Sequence, residues 1–163
     1  MHRTRLLTTM AVFIAIGTIG SQLLWFPAGI AKAYPVQHAV NVMAAVTLGP
    51  FPAVVIAFMI GLLRNMLGIG TLIAFPGGMI GALLAGLLAR KFHHAIWAAA
   101  GEIVGTGIIG AFLSVPFAKL FLGSNDGAMF FVPSFLVSSV TGACIGLIIV
   151  SRLKGKSPIF PPH

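Results

Sequence analysis

The sequence predicts an all-α integral membrane protein, a compact bundle of six transmembrane helices with both termini in the cytoplasm. Three observations carry this. Only 7% of the 163 residues are charged and 58% are apolar, whereas a water-soluble domain is about a quarter charged. The apolar residues gather into six runs separated by Gly, Pro and polar clusters. The cations stand at the ends of those runs rather than along one stripe, which is the positive-inside pattern and not a nucleic-acid footprint.

The first run, Leu6 to Phe26, follows the basic start Arg3 and Arg5. Ala31-Lys32-Ala33 resembles a signal-peptidase site, but the run is far longer than a signal h-region of about 7–15 residues. An uncleaved first helix is expected. Pro27 to Pro35 reads as a loop, and Val36 to Leu48 as a short second helix ended by Gly49-Pro50-Phe51-Pro52. A third helix begins near Ala53 and meets Arg64-Asn65, then a glycine-containing stretch to Phe75. Pro76 opens a fourth helix, where its missing N–H costs nothing, and Arg90-Lys91 ends it. The fifth covers Ala95 to Leu113 or continues through Pro116 to Leu122. Gly123-Ser124-Asn125-Asp126-Gly127 is a strong turn signal. The sixth runs from Phe130 to Val150, before a short basic, Pro-rich tail from about residue 152. The whole chain, 1–163, reads as a single domain.

Six passes place both termini on one side, together with the loop after the fourth helix. That side holds Arg3, Arg5, Arg90, Lys91, Arg152, Lys154 and Lys156, seven of the ten cations, so it is the cytoplasmic one. A multi-pass protein of the cell membrane is expected, with the lipid bilayer as its surroundings.

Small residues recur at four-residue spacing: Gly77, Gly81, Ala85 and Ala89; Gly78, Ala82 and Gly86; Gly101 and Gly105; Ser138, Gly142 and Gly146; Ala11 and Ala15. Helices in lipid associate through close backbone approach, so most of these rows should be internal. Ala11 and Ala15, on a helix at the edge of the chain, form the candidate docking face for another protein.

Polar groups at membrane depth carry most of the functional information. Glu102 is the only acid inside an apolar run. It is either a structural partner of Arg64 or a capped carboxylate, or else a ligand acceptor or proton carrier. Gln37, His38 and Asn41 share one face of the second helix by their spacing. Arg64 and Asn65 belong to the same half of the membrane, and Ser134 and Ser138 present hydroxyls from the last helix. These eight are the candidate substrate-binding residues, converging on a small outward-opening pocket with apolar walls that suits a small, largely neutral, partly aromatic ligand. Trp25, Phe26 and Tyr34 read as interfacial aromatics. No phosphate-binding loop, zinc motif or nucleophile elbow occurs, so neither an enzyme nor an ATPase is expected, and neither is a metal or cofactor. Cys144 stands alone, so no intrachain disulfide is possible.

Several stretches carry a resemblance. Ala11-x-x-x-Ala15, AYPVQHAVNVMAAVTLGPFPAVV (Ala33 to Val55) and RNMLGIGTLIAFPGGMIGALLAG (Arg64 to Gly86) resemble the substrate-binding S components of energy-coupling factor (ECF) transporters, specifically the thiazole type, ThiW. The likeness covers roughly Arg3 to Lys154. It implies capture of the thiamine precursor hydroxyethylthiazole at the outer face. It also implies association with a membrane coupling subunit and two cytoplasmic ATPases, with Ala11 and Ala15 on the coupling-subunit contact. Two other readings stay open: an S component for another small vitamin or precursor, and a stand-alone proton-coupled carrier using Glu102.

Overall fold

The computed structural model describes residues 3–28, 31–123 and 125–153. Lys154, Lys156 and the rest of the expected tail lie outside the described residues. Those described form an all-helical bundle: α1 (Arg3–Leu23), a small hairpin of β1 (Phe26–Ala28) and β2 (Ala31–Ala33), α2 (Pro35–Leu48), α3 (Pro50–Met66), α4 (Ala74–Phe92), α5 (Ala95–Glu102), α6 (Ala111–Leu122) and α7 (Ala128–Leu153). A π-helical segment, Ile103–Gly110, joins α5 to α6 in one continuous rod. Three helices are long and apolar enough to cross a bilayer: Arg3–Leu23, Ala95–Phe121 and Ala128–Leu153. The outer surface is apolar almost throughout, with Phe51 78%, Leu120 77% and Leu7 65% exposed. Such a surface is compatible with lipid rather than with water.

α2 is the central helix. It has 14 residues, so it rises only about 21 Å, less than the ~30 Å hydrocarbon layer. It tolerates this because protein surrounds it: Gln37 through Ala45 are all buried, against α1, α3, α4 and α7. Pro35 starts it at the first helical turn. Gly49 ends it with φ 91°, a conformation that glycine adopts without strain. A Cβ there would also stand 2.7 Å from the Arg90 guanidinium.

The expected loop between the first two helices is instead a hairpin, paired Phe26↔Ala33, Pro27↔Lys32 and Ala28↔Ala31. Long-range bonds explain it. Ser134 Oγ donates to Ala28 O at 2.7 Å, and Tyr34 N donates to Ser138 Oγ at 2.9 Å, so α7 pins both sides of the turn. Ala33, in the candidate cleavage site, is fully buried. The fifth helix takes the longer of its two expected courses, through Pro116 to Leu122.

Backbone approach through small residues sets the packing. A Cβ on Gly105 would lie 2.6 Å from Gly81 Cα, and one on Gly110 2.5 Å from Gly77 Cα. On α7, a Cβ on Gly142 would meet Pro35 O at 2.3 Å. Four of the small-residue rows therefore face inward, while Ala11 and Ala15 are exposed. Gly105→Val is expected to lower thermal stability in detergent, because the opposing atoms are backbone and cannot yield. Overpacking of this kind costs about 1–3 kcal/mol, and an unchanged melting temperature would contradict the contact.

Candidate functional site

α2 begins where the hairpin ends, so Tyr34, Gln37 and His38 enter the bundle together. The end of α3 and the start of α4 bring Arg64, Thr71, Ile73 and Ala74 to the same level. The end of α6 and the start of α7 add Ala118, Asp126, Phe130, Phe131 and Phe135. Together these enclose a cavity of about 420 Å³, a volume suited to a small organic molecule. Its walls are largely aromatic and aliphatic, interrupted by a few polar groups.

Of the predicted site residues, Gln37, His38, Arg64, Ser134 and Ser138 line this cavity. Asn41 and Glu102 lie behind His38 and are fully buried. Glu102 Oε1 is the hub there: His38 Nδ1 is 2.8 Å away, Thr106 Oγ1 2.9 Å, and Asn41 Nδ2 donates to it from 3.1 Å. Asn41 Nδ2 also donates to Gly78 O at 3.2 Å. Glu102 thus joins α2 to the π segment, and its partner is His38 rather than Arg64. Asn65 is not brought to the cavity, because its amide donates to Gly61 O on its own helix at 2.8 Å. The two serines hold the hairpin, so their hydroxyls are committed to backbone groups.

Arg64 is buried. Its Nη1 donates to Gln37 Oε1 and its Nη2 to Ile69 O at 3.4 Å, while the guanidinium sits 3.8 Å from the Tyr34 ring centroid. The Arg64 Nε–H has no protein partner among the described residues. Stacking on an aromatic face suits a planar, delocalised cation.

Two contributors escape a reading of the sequence by type. Tyr34 reads as an interfacial aromatic, yet it forms a platform for Arg64. Thr106 carries no motif. Its one signal is position, four residues after Glu102 and so one turn along the same rod. Among the described residues no group of three His, Cys, Asp or Glu side chains is placed to hold a metal ion.

A comparison with curated proteins gives no match. Residues 7–156 match the family model described as thiamine-precursor transporter protein, ThiW. That match spans nearly the whole chain, and with the apolar exterior and the buried polar cavity it makes this protein a member of the ThiW family of thiamine-precursor transporters, a multi-pass membrane protein and not an enzyme.

Proposed function

We propose that the chain is one six-span domain, the substrate-binding S component of an ECF-type transporter in the cytoplasmic membrane. It captures hydroxyethylthiazole from outside and passes it inward through a coupling subunit and two ATPases. The observation that carries this reading is where the cavity sits. The hairpin and the start of α2, the α3–α4 junction and the α6–α7 junction supply most of its walls. Arg3, Arg5, Arg90, Lys91 and Arg152 stand at the start of α1 and the ends of α4 and α7, the opposite end of an alternating bundle. The positive-inside rule then turns the cavity outward.

The chemistry of the walls supports a neutral heteroaromatic alcohol. Phe130, Phe131 and Phe135 offer faces and edges to a ring. Gln37, His38 and the Arg64 Nε–H offer a few directed hydrogen bonds for a ring nitrogen and a hydroxyl. Asn65, Ser134 and Ser138 serve the ligand through the surrounding frame.

Thermal unfolding of the purified chain against a panel of vitamins and precursors tests the ligand. Hydroxyethylthiazole at a hundredfold excess over its Kd should stabilise by about 2.7 kcal/mol, and the other compounds should not. Proteoliposomes holding the chain alone should bind the thiazole without accumulating it. Accumulation by the chain alone, lost in Glu102→Gln, would replace this reading with a proton-coupled carrier. A different compound giving the shift would keep the S component and change its vitamin.

A further inference from the structure

Glu102 does not line the cavity, but His38 does, and the hydrogen bonds between them fix which ring nitrogen the ligand meets. Asn41 Nδ2 has two protons, and its two partners, Gly78 O and Glu102 Oε1, lie 3.2 and 3.1 Å away. The reversed amide would aim an acceptor at two acceptors, so this orientation is the satisfied one. Glu102 Oε1 therefore accepts from Asn41. An oxygen already acting as acceptor requires its neighbour at 2.8 Å, His38 Nδ1, to carry the proton and donate. The Nδ1–H form leaves Nε2 as the ring atom without a partner among the described residues, on a side chain that faces the cavity. The contact a histidine makes through one nitrogen sets what the other can do.

We infer that Glu102 is a positioning residue that works through His38, and that His38 Nε2 reads the hydroxyl of the ligand and so sets the preference for an alcohol over its deoxy analogue. A hydroxyl both donates and accepts, so it satisfies Nε2 whether the ring is imidazole or imidazolium. An ethyl group does neither and leaves a desolvated nitrogen unpaired. The inference rests on the thiazole reading above and assigns the alcohol to one atom of the site.

The test is a ligand-by-variant cycle on the full chain in detergent, using hydroxyethylthiazole and 5-ethyl-4-methylthiazole, which lacks the hydroxyl. Wild type should prefer the alcohol by about 5- to 150-fold, the value of one buried hydrogen bond. In His38→Phe that preference should vanish while the deoxy compound still binds. Glu102→Leu should abolish it likewise, and Glu102→Gln, which keeps an acceptor for Nδ1–H, should restore it. A residue that only supports the fold would weaken both ligands alike, and that result overturns the inference, as does an intact preference in His38→Phe. Nitrogen-15 spectra of histidine-labelled wild type give a second measurement that needs no folded Glu102→Leu. The resonances missing from His38→Phe should report a protonated Nδ1, with Nε2 shifting for the alcohol and not for the deoxy compound. A neutral ring protonated at Nε2 instead would overturn the assignment. If neither compound binds, the thiazole reading falls, and the nitrogen spectra still decide how His38 is held.

Discussion

Ala15→Leu is expected to abolish uptake by the assembled transporter while leaving the ligand affinity of the isolated chain unchanged. The basis is the two-sided construction of α1. Phe13, Gly17, Thr18 and Ser21 are its buried residues, and a Cβ on Gly17 would lie within 2.2 Å of Ile60 Cδ1. That is the face α1 turns to α3. Ala11 and Ala15 are exposed on the other side, beside Val12, Ile16 and Ile19 at 51%, 46% and 58% exposure. A larger side chain at Ala15 therefore meets nothing within the chain. At a docking surface where two helices approach through small residues, added bulk costs about 1–3 kcal/mol, and a leucine holds the backbones apart along the whole contact. Calorimetric titration of the variant and uptake with the full coupling module separate the two effects. A parallel loss of affinity would place Ala15 in the fold. Normal uptake would leave the Ala11–Ala15 face to lipid.

The helices were legible in the sequence for a physical reason. In a chain this apolar, Gly, Pro and the few charges are the only places where a span can stop, and the structure breaks at or near each of them. Glu102 was equally conspicuous, being the one acid in an apolar run, and the i, i+3 and i, i+4 spacings of Gln37, His38 and Asn41 put three polar groups on one face. The structure brings those residues together. What the sequence concealed depends on contacts between distant segments. Three-residue strands around Pro27 and Lys32 have little β propensity of their own, and the hairpin exists because Ser134 and Ser138, more than a hundred residues on, bond to it. The π segment lies in the glycine-rich stretch Ile103–Gly110, where the helix presses on α4 backbone, and no local pattern announces that. Arg64 was expected beside Glu102 by charge alone. Geometry gives it Gln37 and the Tyr34 ring instead, because α3 ends level with the start of α2, while Glu102 lies deeper, behind His38.

Arg64→Leu should weaken binding of hydroxyethylthiazole by about 2–3 kcal/mol, or roughly thirty- to 150-fold, with a much smaller effect on thermal stability. The two quantities part company because of how the guanidinium is held. It is buried and bound by neutral groups: the side-chain amide of Gln37, the carbonyl of Ile69 and the face of Tyr34. Desolvating a cation in such surroundings is costly, and replacing a buried charge by an apolar side chain of similar bulk is often neutral for stability. Leucine also leaves Ile69 O with the Tyr34 hydroxyl, 3.3 Å away. The ligand has no such compensation. It loses the Nε–H donor, and Gln37, freed from Nη1, no longer presents a fixed amide to the cavity. Arg64→Lys should fail to restore affinity, since an ammonium has neither the planar fork nor the stacking surface. Calorimetric titration of both variants beside their melting curves decides the matter. Wild-type affinity in Arg64→Leu, or full recovery with lysine, would remove Arg64 from the ligand's surroundings and leave it a strut between α2 and α3.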